Sequence, residues 1–293
     1  MNYSVTPEED GWRVREILRR SLRVSYTAMK SAKWNGRILL NGDPVFVDVR
    51  VKPGDTVTVD WAEEKPLYEI RPYRLELDIP YIDDDLMIVD KPAPLASQSS
   101  RGHPDDSLEN AVYAYFGCPE NYVYRPVNRL DRGTSGLMVI ARNPHSQDLL
   151  QRQLHRNDFR RRYLALTEGV PDPPEGVLDF PIAKVPSASV KREVNPLGKP
   201  CLTRYRVCGQ DPSRNSARAL VELELETGRT HQIRVHLSHI GCPVVGDFLY
   251  GTEDQAFPGR FALHSAYLDL IHPISGELIS LASIPDWADI RMP

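Results

Sequence analysis

The chain has 293 residues, of which 41% are hydrophobic and 26% charged, and its formal net charge is −4. This length and composition predict a soluble globular protein with one large domain and a small one. No apolar run reaches the roughly 18 residues of a membrane span, and the N-terminal residues are polar and acidic. We therefore expect neither a transmembrane segment nor a secretory signal.

Cysteines are few and irregularly spaced: Cys118, Cys201, Cys208 and Cys242. No two of them form a C-x-x-C pair. This pattern favours reduced thiols in a cytoplasmic protein over a zinc site or a disulfide framework.

Basic residues are concentrated near the N-terminus, where only Glu16 opposes them between residues 13 and 37. They are Arg13, Arg15, Arg19, Arg20, Arg23, Lys30, Lys33 and Arg37. A local basic patch can hold phosphates even when the whole chain is acidic. These residues are therefore candidate RNA contacts, and the alternative is a solvated helix face that happens to be rich in arginine.

In chain order, apolar residues recur at three- and four-residue spacing from Trp12 to Leu22, which predicts a helix. A second helix is predicted from Ser25 to about Lys33, followed by an apolar run between two Asn-Gly turns. Two further short strands are expected at Val45–Val51 and Thr56–Asp60, joined by a turn at Lys52–Asp55.

Two motifs in this stretch belong together. Residues 36–42 read GRILLNG, which matches the pattern G-x-(I/V)-x-(V/L)-N-G, and residues 51–57 read VKPGDTV, which matches V-K-x-G-D-x-(I/V). With the two basic helices before them, they make this part of the chain resemble the S4 RNA-binding domain.

A carboxylate lies between two arginines in residues 129–136, which read RLDRGTSG and lead into the apolar strand Leu137–Ala141. Neighbouring positive charge favours the ionised form of Asp131. Such a residue can act as a nucleophile, as a general base or as one half of a structural salt bridge. The motif alone leaves these alternatives open.

A second segment follows a helix that Asn143-Pro144 is expected to cap. Residues 160–169 read RRRYLALTEG, so they begin basic and continue as a strand. Strand alternation places Tyr163, Ala165 and Thr167 on one face. A tyrosine beside small residues leaves room for a planar ligand, and the alternative is an ordinary core tyrosine.

A third segment begins as a half-buried strand at Val221, breaks at Thr227–Thr230 and continues as a helix from His231 to Ile240. Three histidines in this helix suggest a metal site, but their spacings of five and three residues match no ligand signature. They are His231, His236 and His239. We expect no bound metal.

The three segments occur in the same order as the sequence motifs of a known family. Residues 128–136 match H-R-L-D-x-x-T-S-G except at Asn128, residues 161–169 match (K/R)-x-Y-x-A-x-x-x-G, and residues 227–236 match T-G-R-x-H-Q-I-R-x-H. Residues 241–251 add G-x-P-(I/V)-x-G-D-x-x-Y-G. From about residue 80 to 275 the chain thus resembles the RluA-type pseudouridine synthases. It departs from them at Asn128, where many members have histidine, and at Asp90, where asparagine is common.

The two resemblances imply an α+β (mixed α/β) fold. Residues 1–61 are expected to form a small S4-like domain, residues 62–76 a linker, and residues 77–293 a catalytic domain. That domain is expected to have a mixed, largely antiparallel sheet with flanking helices.

The resemblance also implies roles. Asp131 is the expected catalytic carboxylate, acting at C1′ as a nucleophile, as a charge stabiliser or as a base toward a sugar proton. Arg234 is expected to pair with it, and Tyr163 to stack on the uracil. Leu263 is expected to pack on the base, and Arg129 to fill the gap that the flipped nucleotide leaves.

Further substrate contacts are expected from Arg229, His231 and Gln232, and phosphate contacts from Arg160, Arg161 and Arg162. The reaction is an isomerisation, so no cofactor is expected. The chain is expected to be a monomer. Its expected partner is structured RNA, with ribosomal RNA favoured over transfer RNA, and the expected targets are uridines in loops or bulges. The alternatives are a glycoside hydrolase, which normally needs a second carboxylic acid, and a non-catalytic RNA-binding or ribosome-assembly factor.

Overall fold

The structure is a computed structural model that describes residues 1–24, 26–34, 37–60, 68–156, 158–187, 190–211 and 217–288. Its N-terminal unit has a four-stranded antiparallel sheet in the order β1-β4-β2-β3. The strands are β1 (Asn2–Ser4), β2 (Ile38–Leu40), β3 (Asp43–Pro44) and β4 (Thr56–Val59).

Helices cover one face of this sheet. A short helix α1 (Val14–Glu16) runs directly into a π-helical turn (Ile17–Ser21), and α2 (Tyr26–Trp34) follows. The apolar spacing read from the sequence reflects burial, since Val14, Ile17 and Leu18 are all fully buried. The first helix starts later than predicted, because the carbonyl of Trp12 accepts a hydrogen bond from the amide of Val51 at 2.8 Å.

The strand predicted at Val45–Val51 was wrong. The carbonyl groups of Val47 and Val49 accept hydrogen bonds from Arg15 and Val14, at 2.8 and 2.9 Å. This segment therefore satisfies the free amides at the start of α1 instead of extending a sheet ladder.

The hairpin between β2 and β3 has the turn residues that its geometry requires. Asn41 and Gly42 both have positive φ angles, 54° and 92°, as a two-residue hairpin turn of type I′ requires. The first Asn-Gly pair, at residues 35 and 36, and the predicted helix start at Ser25 lie outside the described residues. The antiparallel sheet with its two helices fits the S4-like architecture that the resemblance implies.

The second half of the expected linker packs on the large unit. The hydroxyl of Tyr68 donates to Glu109 at 2.5 Å, and the amide of Tyr73 donates to the carbonyl of Asn110 at 3.2 Å. The first half, residues 62–67, lies outside the described residues.

The large unit is built on one nine-stranded sheet in the order β5-β6-β7-β14-β8-β13-β12-β9, with β15 paired to β14. Its first strands are β5 (Asp78–Ile82), β6 (Leu86–Lys91), β7 (Ser135–Ala141), β8 (Arg160–Glu168) and β9 (Glu175–Asp179). The later ones are β12 (Leu202–Asp211), β13 (Arg218–Leu225), β14 (Leu263–Ile271) and β15 (Leu278–Ala282), while β10 (Ile182–Lys184) and β11 (Arg192–Val194) form a separate hairpin.

Within this sheet, β7 and β14 pair in parallel and every other described pair is antiparallel. The predicted fold class, α+β with a mixed and largely antiparallel sheet, is confirmed. Strand β5, which contains Pro80, was not predicted from the sequence. A proline lacks the amide that a central strand needs, and β5 is accordingly an edge strand.

Among the described residues, three α-helices flank the sheet: α3 (Leu108–Tyr115), α4 (Pro144–Arg156) and α5 (Gln232–His239). The predicted cap of α4 is present, since Asn143 Oδ1 accepts the amide of Ser146 at 2.8 Å. The loop before β7, the inner face of β8 and the start of α5 meet on one side of the sheet.

Candidate active site

An open cavity of about 370 Å³ lies where these elements meet. It is lined by all eight residues that the sequence analysis assigned to catalysis or substrate binding: Arg129, Asp131, Tyr163, Arg229, His231, Gln232, Arg234 and Leu263. Residues that are up to 134 positions apart in the chain thus converge on one site.

Asp131 and Arg234 form an ion pair at the floor of the cavity. Asp131 Oδ2 accepts from Arg234 Nη1 at 2.9 Å, and the two side chains are 27% and 4% exposed. The guanidinium therefore presents one oxygen of a partly exposed carboxylate toward the cavity while remaining buried itself.

A second carboxylate holds Arg234 from behind. Asp247 is fully buried, and its two oxygens accept from Arg234 Nε at 2.6 Å and Nη2 at 2.8 Å. This fork geometry fixes the plane of the guanidinium. The sequence analysis gave Asp247 no role, although it lies in the G-D-x-x-Y-G motif that could have indicated one.

Aromatic rings complete the environment of Arg234. Its guanidinium carbon lies 4.2 Å from the ring centre of Phe261 and 5.0 Å from that of Tyr250. Burial alone would lower the pKa of Arg234, but the hydrogen bonds to Asp247 and the charge of Asp131 raise it above the ordinary value. The group is a permanent cation.

His231 borders the same carboxylate, with Nε2 3.9 Å from Asp131 Oδ2. Its Nδ1 lies 2.8 Å from the hydroxyl of Tyr250, which itself accepts the amide of Arg192 at 2.9 Å. The hydroxyl of Tyr250 then donates its hydrogen bond to Nδ1, so the ring hydrogen of His231 is on Nε2, facing Asp131. Burial lowers the pKa of His231, so the ring is neutral near pH 7.

Tyr163 and Leu263 form the apolar wall of the cavity. Each is 4% exposed, and Tyr163 lies opposite Ser265 in the pairing of β8 with β14. Burial raises the pKa of Tyr163, although the neighbouring Arg161 partly offsets this. The ring is therefore a neutral phenol beside the Asp131 carboxylate.

Gln232 differs from the other predicted substrate contacts because its side-chain amide is fully hydrogen-bonded within the protein. Its Oε1 accepts from the amide of Arg229 at 3.0 Å and the hydroxyl of Thr227 at 2.9 Å. Its Nε2 donates to the carbonyl of Leu202 and to Thr203 Oγ1, both at 3.0 Å. These four bonds saturate the amide, so Gln232 braces the turn beneath Arg229 and has no polar atom left for a ligand.

Ser97 clamps the loop that carries Asp131. Its hydroxyl donates to the carbonyl of Leu130 at 2.6 Å and accepts the amide of Leu130 at 3.1 Å. Ser97 is buried, and the sequence analysis did not single it out, because a serine in a loop carries no signal of its own.

A chain of partly buried polar groups, centred on the buried His264, holds the other end of this loop. His264 Nδ1 lies 2.8 Å from Ser135 Oγ, and its Nε2 lies 2.9 Å from Ser283 Oγ. The Ser283 hydroxyl donates a hydrogen bond to Asp90, so Ser283 Oγ accepts from Nε2–H of His264. The hydroxyl of Ser135 then donates to Nδ1 of His264. Burial lowers the pKa of His264, which favours the neutral ring that this arrangement needs.

Replacing His264 with alanine is expected to lower the free energy of unfolding by about 1–3 kcal/mol, because Ser135 and Ser283 lose their buried partner. Urea unfolding followed by circular dichroism measures this change. His155→Ala is the matched control, since that histidine is exposed on α4. A His264→Ala variant as stable as the control would show that the chain does not hold the loop.

The three consecutive arginines of β8 do not act as one group. Arg161 lies on the same face of β8 as Tyr163, lines a cleft that adjoins the cavity, and is 6% exposed. Arg162 points to the other side, 3.7 Å from Glu222 and 3.8 Å from Asp269, and stacks on Tyr267. Its predicted phosphate contact is therefore not favoured, because its charge is already balanced. Arg160 is exposed.

The basic residues of the N-terminal unit remain at its surface. Arg13 and Arg15 share Asp48, at 3.2 and 2.9 Å. Arg20 stacks on Trp12 at 5.3 Å. Exposed cations in the described part include Arg15, Arg19, Arg20, Arg23 and Lys30. Arg37 is partly buried, and the side chain of Lys33 lies outside what the structure describes.

The three histidines of the segment 231–239 are not grouped by the fold as metal ligands. His236 is held by Thr203 Oγ1 at 3.0 Å and the carbonyl of Phe180 at 2.9 Å. Elsewhere, ligand atoms of Asp83, Asp85 and His272 lie within 4.8 Å of one another. His272 Nδ1 there accepts backbone amides and its Nε2 lies 2.8 Å from Asp83. Asp85 Oδ1 accepts from Asn143 and Ser146, both at 2.9 Å, so protein partners already satisfy these groups.

Comparisons with known proteins identify the family. The profile of the RNA pseudouridylate synthase family matches residues 85–239. The chain is 34% identical to the uncharacterized RNA pseudouridine synthase YhcT of Bacillus subtilis (strain 168), over 98% of this chain and 94% of that protein. It is 36% identical to the ribosomal large subunit pseudouridine synthase D of Escherichia coli (strain K12), over 89% of this chain and 83% of that protein.

Among solved structures, human RNA pseudouridylate synthase domain containing 1 superposes with a TM-score of 0.59 and 25% identity, over 72% of this chain and 84% of that one. No helix in the described part of the chain is long and apolar enough to cross a membrane. The family match, the two bacterial relatives and the shared fold lead to one conclusion: the chain belongs to the RNA pseudouridine synthase family, in its RluA-type branch.

Proposed function

We propose that this enzyme converts uridines of ribosomal RNA to pseudouridine and that Asp131 is its catalytic carboxylate. The observation that carries the proposal is the 2.9 Å pair between Asp131 and the buried Arg234, beside Tyr163 and Leu263 in one cavity. The target RNA is inferred from relatives whose names specify the large ribosomal subunit. Transfer RNA is the second candidate.

The reaction breaks the bond between N1 and C1′ of uridine and forms a bond between C5 and C1′, while a proton leaves C5 and one is gained at N1. Asp131 would act at C1′ or at a sugar proton, and Arg234 would keep it ionised and aimed. Tyr163 would stack on the uracil as a neutral phenol, and Leu263 would pack on the same base. Arg129, which is exposed at the rim of the cavity, would fill the place of the flipped nucleotide.

A glycoside hydrolase mechanism is not favoured by this cavity. Asp131 is the one carboxylate among its described lining residues. The nearby Asp247 is fully buried and engaged by two nitrogen atoms of Arg234, so it cannot deliver a proton to a leaving group or activate water. Hydrolysis of this kind normally needs two available carboxyl groups.

The proposal is tested with a transcript of large-subunit ribosomal RNA that carries tritium at C5 of uridine. Release of tritium without free uracil supports isomerisation, and free uracil would indicate hydrolysis. Binding without either product, on this transcript and on transfer RNA, would favour a non-catalytic RNA-binding or ribosome-assembly factor. Mapping pseudouridines in total RNA with and without the gene then identifies the target.

The N-terminal unit is proposed to supply affinity for RNA, with residues 1–61 as a separate S4-like domain. Deleting residues 1–60 is expected to weaken RNA binding by about tenfold or more, because several phosphate contacts are lost together. The catalytic unit is expected to stay folded, since the N-terminal apolar cluster and the large cores share no described residue. Filter binding and circular dichroism measure the two effects.

A substitution variant of the full-length chain tests the same phosphate contacts without a deletion. Exchanging Arg19, Arg23 and Lys30 for glutamine removes three exposed charges and should reduce the salt dependence of binding by about two units of slope. If RNA affinity is unchanged in the deletion variant and in the triple glutamine variant, the basic residues of the N-terminal unit do not contact RNA and are only solvated. The expected cytoplasmic location and monomeric state stay predictions.

A further inference from the structure

Two buried hydrogen-bond donors without partners lie in one cleft beside Asp131. The cleft has a volume of about 1360 Å³ and extends from Asp131 past Asn128 and Arg161 to Gln151 on α4. Within the described part of the chain, Arg161 Nε and Asn128 Nδ2 are buried and have no hydrogen-bond partner. Such orphaned donors are rare in a folded protein and call for an explanation.

Arg161 is an unbalanced charge. It is 6% exposed, and no carboxylate of the described residues comes within the 4.0 Å of an ion pair. Its guanidinium lies 5.9 Å from the ring centre of Phe159 and under the turn at Gly228. Burying a cation without a counter-ion is unfavourable, so the free protein holds this group in a state that a bound anion would improve.

Asn128 adds a donor whose direction is known. Its Oδ1 accepts the amide of Val139 at 2.9 Å, which settles the orientation of the amide group. Nδ2 therefore points away from β7, and its residue lines the cleft. This residue is also where the chain departs from the pattern H-R-L-D-x-x-T-S-G.

We propose that Arg161 and Asn128 form a subsite for a phosphodiester of the substrate RNA, next to the nucleotide that reacts at Asp131. The inference rests on the proposed function, since RNA is the ligand that the cleft would take. Both protein groups are donors, so the ligand must accept. A base carbonyl would satisfy Asn128 but leave the guanidinium unbalanced, whereas a phosphate supplies both oxygen acceptors and negative charge.

A competing role for Arg161 is to act through Tyr163, which is two residues along the same face of β8, because its charge and a side-chain hydrogen bond both act to lower the pKa of that phenol. The two roles predict different kinetics. A phosphate contact acts on RNA affinity and its salt dependence, while support of the Tyr163 hydroxyl acts on the chemical step and its pH profile.

The experiment measures kcat and KM of full-length wild type and Arg161→Met on a large-subunit ribosomal RNA transcript, from low to high salt. With Arg161→Met, kcat/KM at low salt is expected to fall about 10- to 100-fold, mostly through KM. The slope of its logarithm against log salt should decrease by about 0.7–0.9. The melting temperature of the free protein should not fall, because an unbalanced buried charge has been removed.

Two variants serve as matched controls. Arg162→Gln removes the neighbouring arginine on the opposite face, whose charge is already paired, and should leave the slope unchanged. Asn128→Asp keeps the acceptor for Val139 but puts a negative charge on a residue that lines the same cleft as Arg161, and should raise KM as Arg161→Met does.

Three outcomes overturn the subsite: an unchanged salt slope for Arg161→Met, a fall in kcat with a shifted pH profile, or an Asn128→Asp variant that binds like wild type. Wild type that forms no pseudouridine would instead refute the proposed function. In that case the salt slope of transcript binding, measured on the same proteins, still decides the subsite.

Discussion

Replacing Asp131 with asparagine is expected to abolish pseudouridine formation, with a loss of about 10⁴-fold or more. The amide keeps the size of the side chain but cannot attack C1′, balance positive charge there or accept a proton. RNA binding should stay within a factor of about three, because Arg234 remains held by both oxygens of Asp247 and the cavity keeps its shape. Tritium release and filter binding on the same preparation measure the two quantities.

Asp148→Asn is the matched control, since Asp148 is an exposed aspartate that pairs with Arg152 on α4, at 2.5 Å. It should change neither quantity. An Asp131→Asn variant with turnover near that of wild type would remove Asp131 from the chemistry and return it to the role of a structural salt bridge.

Replacing Asp247 with alanine is expected to lower the free energy of unfolding by about 3–5 kcal/mol, because it leaves the buried Arg234 with one partner instead of two. Activity should also fall, since the guanidinium is no longer held in the plane that orients Asp131. We therefore propose that Asp247 acts as a positioning residue, since it is fully buried. Urea unfolding and tritium release measure the two effects.

A double variant separates stability from activity. Arg234→Met with Asp247→Leu replaces the buried pair by apolar side chains, which often restores stability. Stability should recover while activity stays low, since nothing then pairs with Asp131. Recovery of activity in the double variant would show that Arg234 is not needed, and an Asp247→Ala variant as stable as wild type would show that Asp247 does not hold it.

Much of the site could be predicted because its residues are carried by short continuous segments. The loop with Asp131, the strand with Tyr163 and the turn that leads into α5 are each readable as a local pattern. Burial periodicity likewise predicted β7, β8 and α5. The failure at Val45–Val51 has the opposite cause: the carbonyls of that segment bind the start of α1, a contact between distant parts of the chain that no local pattern contains.

By itself, the sequence determined which segments are candidates for the chemistry and which family they resemble, because residue order and local spacing are properties of the chain. Only the tertiary structure decided which groups meet and which are already satisfied. Asp131 and Arg234 are 103 residues apart in the chain, and Asp247 enters only through folding. Strand alternation separates Arg161 from Arg162, and hydrogen bonding saturates Gln232 but leaves Asn128 with a free donor. Charge balance and hydrogen-bond saturation depend on partners brought together in space, so they are decided by the fold.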